Sequence, residues 1–177
     1  MPLPLGHTAI GLAINDIYPK GSFTDNPWKP FVFVVALSNL PDIDVITGLM
    51  LYGNGDVFHR GPTHSLLFGL IMALIASRVG NWWSKISGVS FLWCFLVIFS
   101  HVLADAILTH VPVSLWWPLE LNCSGGYSGW VDVINFVVFG AIRDVGIIVT
   151  VATVIVFNRI IRHKPLPFAF SRLLKGR

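Results

Sequence analysis

A chain of 177 residues has room for one hydrophobic core and a short tail, and here 54% of the residues are hydrophobic against 12% charged, with a net charge of +3. Mean hydropathy is +0.72, and because an ordinary soluble domain carries about 25% charged residues, the composition argues against a freely soluble protein and against disorder. Two cysteines, Cys94 and Cys123, are too few for a disulfide framework, and so small a positive charge without a basic, aromatic-interleaved surface excludes a nucleic-acid partner.

The first predicted element is an amphipathic helix in which Ile10, Ala13, Ile14 and Ile17 form one stripe, ending before Pro19. No basic segment precedes it, so it does not read as a signal peptide. Apolar runs follow at Pro30–Leu40, Ser65–Ser77, Gly88–Leu108 and Val133–Phe157. Crossing a bilayer takes roughly 20 mostly apolar residues, a length that only the last two reach. His101 and Asp105 interrupt one of them and the adjacent Arg143 and Asp144 the other, so these positions are expected to face protein or water. The connections are Lys20–Lys29, the Gly-rich Gly53–Pro62, Val79–Ser84 and the long Pro112–Trp130. The expected fold is an all-α, membrane-embedded bundle of about five helices, a single domain over 1–177 with a basic tail at 158–177. Trp82, Trp83, Trp116 and Trp117 fit membrane-interface anchors, Cys94 a buried thiol and Cys123 a loop thiol.

Successive helices alternate in direction, so successive connections fall at alternate ends of the bundle. One end gathers Lys20, Lys29, Arg78, Lys85, Arg159, Arg162 and the rest of the basic tail, with Asp25 as its single acid. The other gathers Asp42, Asp44, Asp56, Asp105, Glu120 and Asp132 against Arg60 alone, together with most of the histidines. The excess of Lys and Arg predicts a cytoplasmic C-terminus, with the acidic, histidine-rich end facing outward.

At that end four short strings carry chemistry. His101 and Asp105 stand one helical turn apart, so both side chains can reach one ion, although a simple His–Asp hydrogen bond inside the bundle explains the pair equally well. Leu40-Pro41-Asp42-Ile43-Asp44 closes an apolar run, because the residue before a proline is pushed out of α conformation. Its two carboxylates suit a divalent cation, or else cap the next helix and complement its dipole. His59-Arg60-Gly61-Pro62-Thr63-His64-Ser65 is the most specific string: two imidazoles flank a turn in which Gly61 permits close approach to a ligand and Pro62 fixes φ. Arg60 places a planar cation where an anionic oxygen would lie beside a metal. His7 opens the first helix at the same end. Neutral imidazoles and carboxylates converging from several elements are what a metal-dependent hydrolase uses, and His7, Asp42, Asp44, His59, His64, His101 and Asp105 supply seven. His110 and Glu120 belong to no spaced motif and are kept only as outer candidates, while Arg143 is weighed as a lesser candidate for an anionic substrate.

Gly6-His7-Thr8, Leu-Pro-Asp-Ile-Asp at 40–44, His-Arg-Gly-Pro-Thr-His-Ser at 59–65, Ser-His-Val-Leu-Ala-Asp at 100–105 and Trp-Trp-Pro-Leu at 116–119 resemble the YdjM-like membrane-bound metal-dependent hydrolases. That resemblance, spanning residues 6 to 119, implies a helical bacterial inner-membrane protein, a divalent-metal site formed by the seven residues above, and hydrolytic activity. The ligand types are also similar to those of the zinc-dependent phospholipase C and nuclease fold, but the chain lacks a second His-x-x-x-Glu pair.

The expected function is therefore hydrolysis at one or two zinc ions, with manganese or magnesium as alternatives. Asp42 or Asp44 would act on the attacking water and Arg60 on the oxyanion. Phosphoesters or lipid-linked esters are the expected substrates, with membrane lipids as surroundings. A non-enzymatic protein that binds or transports a divalent cation would use the same ligands without an activated water.

Overall fold

Prolines set the helix starts. A computed structural model describes residues 4–18, 28–84, 89–108, 111–119, 121–123 and 143–162, apart from the side chains of 80–84 and 143. The side chains of Trp82 and Trp83, residues His110, Glu120 and Asp132, the stretch 133–142, the connection 19–27 and the tail beyond residue 162 lie outside it. Helix α1 is Pro4–Ile17 and begins on a proline, whose missing N–H would have no partner in a first turn anyway. Helix α2, Trp28–Ser38, has Pro30 in its first turn and ends where Pro41 forces a 3-10 turn at Leu40–Asp42.

Helix α3, Ile43–Tyr52, leaves that turn at an angle, so that α2 and the segment Leu40–Tyr52 are bent by 57°. A second 3-10 turn, Pro62–His64, leads into α4, Leu66–Ser84. Helix α5 is Phe91–Leu108 and α6 is Arg143–Ile161. Among the described residues the protein is thus all-helical, with a single isolated bridge between Val113 and Cys123. The described residues alone form six helices where about five were expected for the chain. The addition is α3, too short for a span and with Ile46, Leu49 and Met50 all exposed, so no buried stripe marked it in the sequence.

Helix α5 is the axis of the packing. Its Trp93, Cys94, Val97 and Ile98 meet Phe33, Val34 and Leu37 of α2 and Ala73 and Ala76 of α4 in one buried cluster. Helix α1 lies against α2, α5 and α6. Its close fit to α2 depends on Gly11, because a Cβ there would run into the Ser38 side chain. At the far end of α1, Asp16 accepts hydrogen bonds from Asn158 (3.0 Å) and Arg159 (2.7 Å), which ties α6 down.

Among the described residues two helices are long and apolar enough to cross a membrane, Phe91–Leu108 and Asp144–Ile161, and the bent pair would make a third. The helix directions set His7, Ser38, Leu66, Asp105 and Asp144 at one end, and Asp16, Trp28 and Arg159 at the other.

Candidate metal centre

The last turn of α2, the last two turns of α5, the first turns of α1 and α3, and the 59–64 turn meet at one point. His101 of α5 is fully buried, and its Nδ1–H donates to the carbonyl of Ser38 at 2.7 Å. That bond fixes the tautomer and leaves Nε2 with a lone pair pointing inward. His64 is oriented in the same sense. Its Nδ1–H faces Thr63 Oγ1 at 3.1 Å, and that hydroxyl donates in turn to Asp44 Oδ2 at 2.5 Å. His7 from α1 stacks on His101 with ring centroids 3.6 Å apart, and Asn39 Nδ2 steadies the neighbouring Thr8 with a 2.9 Å hydrogen bond.

Carboxylates fill the space between these rings. Asp42 Oδ1 lies 3.3 Å from His101 Nε2 and 3.6 Å from His64 Nε2. Asp105 places one oxygen 3.5 Å from His7 Nε2 and the other 3.5 Å from His64 Nε2. His59 Nδ1 stands 3.3 Å from Asp44 and 3.8 Å from Asp42. All seven residues singled out in the sequence are brought together. They form three overlapping trios whose donor atoms lie within 4.8 Å of one another: His7, His101 and Asp105; Asp42, His64 and His101; and Asp44, His59 and His64.

This donor set fits a divalent cation. Nε2 of His7, His64 and His101 and Oδ1 of Asp42 are buried and make no hydrogen bond, and a buried polar atom without a partner costs about 1–3 kcal/mol. Four such atoms pointing at one spot are relieved together by one or two metal ions, which imidazole nitrogen and carboxylate oxygen both ligate. Burial alone would lower the pKa of His64, but Asp105, Asp42 and Asp44 around it raise it to about 10, so without metal a proton supplies the missing positive charge. For His7 burial wins, and its imidazole is held below the ordinary histidine value.

Asp44 and Arg60 differ from the sequence expectation in their surroundings. Asp44 Oδ2 already accepts the Arg60 backbone N–H (3.2 Å) and the Thr63 hydroxyl, so this carboxylate grips the 59–64 turn as well as facing His59. Arg60 is buried, with Nε 3.7 Å from Asp105. Its φ of 66° is a left-handed conformation that costs a non-glycine residue about 1–2 kcal/mol. Gly61 supports the same turn by a close approach to protein: a Cβ there would come within 2.9 Å of the Phe58 carbonyl. Sequence reasoning missed Ser38, Asn39 and Thr63 as supports. Ser38 and Asn39 could have been noticed as polar residues ending an apolar helix immediately before Leu40-Pro41.

The family model for the YdjM inner membrane protein matches residues 1–166, which include the entire site. The chain belongs to the YdjM family. It is also 34% identical over 122 residues to "Inner membrane protein YbcI" of Escherichia coli (strain K12), covering 67% of this chain and 68% of that protein. No solved structure matches the chain. Two or three apolar helices and membership of this family make it an inner-membrane protein whose buried His and Asp clusters could hold a metal ion.

Proposed function

We propose that this YdjM-family protein is a membrane-bound, metal-dependent hydrolase that cleaves a phosphoester or lipid-linked ester, using one or two zinc ions or, in their place, manganese or magnesium. The observation that carries the reading is the convergence of three imidazole Nε2 atoms and Asp42 Oδ1 around Asp105, beside a buried arginine that cannot itself be a ligand. A divalent cation held there would polarise an ester oxygen and lower the pKa of water.

The chain's own residues divide the remaining work. Asp42 is the most open of the three central carboxylates, with 15% of its side chain exposed, against 3% for Asp44 and none for Asp105. It is therefore the better placed to orient a water and accept its proton, while Asp44 holds the turn that carries His59, Arg60 and His64. Arg60 supplies a fixed positive charge for the oxygen that gains charge as the ester breaks. Supporting an enzyme over a cation conduit, the α5 face beyond the site is closed by buried Cys94, Val97 and Ile98 against Val34.

Purified protein loaded with zinc or manganese is to be tested on soluble phosphomonoesters, phosphodiesters and phospholipids, with Asp105→Ala as control. Turnover lost in the control supports the reading. If no ester is cleaved above the control, the cation-binding reading replaces it. The basic residues at the Arg159 end support a cytoplasmic C-terminus, so a C-terminal reporter that fluoresces only in the cytoplasm is expected to be bright.

A further inference from the structure

His7 sits in the first turn of α1, the weakest place on a helix to mount a ligand. The N–H groups of a first turn have no partners within the helix, and helix ends fray. Yet His7 is 1% exposed, stacks on His101 at 3.6 Å and keeps Nε2 3.5 Å from Asp105. Something outside α1 must hold that turn in register.

Helix α6 offers the hold through Asp144, a buried acid in its own first turn. The Asp144 carboxylate lies against Gly6, the residue directly before His7. A Cβ added at Gly6 would stand 2.9 Å from Asp144 Oδ1 and 3.1 Å from Ile147 Cδ1, and Ile147 is buried too. Because Asp144 meets Gly6 at one end and Arg159 meets Asp16 at the other, α1 and α6 run parallel. Parallel helices bring their positive dipole ends together, and a carboxylate between those ends offsets the repulsion. At the opposite ends the Arg159 guanidinium, 2.6 Å from Asp16, occupies the complementary place. Both ties join the same two helices, but only the one at Asp144 adjoins a candidate metal ligand.

We propose that Asp144 is a positioning residue: packed on Gly6, its carboxylate holds the first turn of α1 so that His7 keeps its place over His101 and against Asp105. This rests on the metal-dependent reading of the site for its effect on zinc, though not for its effect on the helix. Full-length protein is to be compared with Asp144→Ala, Asp144→Asn and Asp16→Ala. Zinc affinity is measured against a chromophoric chelator, and the visible spectrum of the cobalt-loaded protein reports ligand geometry. Hydrogen exchange of the metal-free protein follows residues 4–12.

Asp144→Ala is expected to bind zinc about tenfold or more weakly, as when a group that orients a ligand is lost, while Asp144→Asn, which keeps the shape and an accepting oxygen, recovers most of the affinity. The cobalt bands should shift, and residues 4–12 should exchange faster, in Asp144→Ala and not in Asp16→Ala. Asp16→Ala cuts the other tie and should melt lower with near wild-type zinc affinity. Should Asp144→Ala not fold, Gly6→Ala presses a methyl into the same carboxylate and is expected to weaken zinc similarly. Equal zinc losses in Asp144→Ala and Asp16→Ala, or wild-type affinity in Gly6→Ala, would overturn the proposal. Wild-type protein that binds no zinc would sink the metal centre, and the clamp would then stand or fall on the exchange of residues 4–12.

Discussion

Removing the Asp44 carboxylate separates a group that positions a ligand from a group that is one. Asp44 Oδ2 takes the buried Arg60 N–H at 3.2 Å and the Thr63 hydroxyl at 2.5 Å, and through that hydroxyl it holds His64. In Asp44→Ala the Arg60 amide is left without this acceptor, at about 1–3 kcal/mol. The Thr63 hydroxyl can turn to water and recovers most of its loss. His64 also loses its direct contact with this carboxylate, Nδ1 to Oδ2 at 3.1 Å, so the expected destabilisation is about 2–4 kcal/mol in the metal-free protein. For metal, loss of an outer partner that orients a histidine lowers affinity about 10- to 100-fold, or roughly 1.4–2.7 kcal/mol. Denaturant unfolding of the metal-free protein reads the first quantity, and zinc titration against a chromophoric chelator, with elemental analysis of the saturated protein, reads the second together with the stoichiometry. The expected result is weaker binding at unchanged stoichiometry, with Asp44→Asn less affected because its amide oxygen still accepts. Asp105→Ala, by contrast, should lose zinc outright. If Asp44→Ala binds one metal fewer per chain while the rest bind as before, Asp44 and His59 hold a metal of their own and the positioning argument is refuted.

Arg60→Ala should keep its zinc and lose about 10²- to 10³-fold in turnover, as when one preorganised electrostatic donor is removed; Arg60→Gly should lose the same activity yet melt higher than the alanine variant, because glycine accepts a φ of 66° without strain. Zinc affinity should rise with pH until it levels near 10, since the proton on His64, whose pKa is raised to about 10, must leave when metal binds; calorimetry in buffers of different ionisation enthalpy should show that proton released. The same raised pKa stabilises the metal-free fold fully below about 6.5, the ordinary histidine value, and this contribution should fade as pH climbs through 10, which thermal unfolding of chelator-treated protein would detect. Gly11→Val should destabilise the protein by about 1–3 kcal/mol through overpacking against Ser38, and should weaken zinc binding as well, because the Ser38 carbonyl orients His101; a variant of lower stability but wild-type zinc affinity would break that link.

What could be read in the sequence, and what could not, follows from the chemistry of each residue. In a chain this apolar, each His or Asp at a helix end is conspicuous, and alternation of helix direction brings those ends together. The seven candidate residues were legible for that reason. The contacts that orient them were not. The carbonyl of Ser38 that fixes the His101 tautomer is a backbone group every residue possesses, so no side-chain type announces it. The two carboxylates of Leu-Pro-Asp-Ile-Asp looked interchangeable, yet they are not. Asp42 ends the 3-10 turn and Asp44 lies in the first turn of α3, so they approach His64 from opposite edges, Asp42 at Nε2 and Asp44 at Nδ1. One imidazole is thereby held between a carboxylate that shares its ligating edge and a carboxylate that fixes its proton.

Arg60 completes this division of labour. Glycine is the usual occupant of a left-handed position, yet in this turn the φ of 66° belongs to Arg60 and not to the adjacent Gly61. A lone turn would relax out of a conformation costing about 1–2 kcal/mol. This one is fixed from both sides, by Asp44 accepting its N–H and by Ser114 donating to its carbonyl. Relaxing Arg60 into an ordinary conformation would turn its guanidinium away from Asp105 and break the hydrogen bond that holds Ser114 to the site. The strain is thus located at one residue, which links the candidate metal ligands on either side of it, the buried cation and the segment that Ser114 anchors, and any change that relaxes it is expected to disturb all three together.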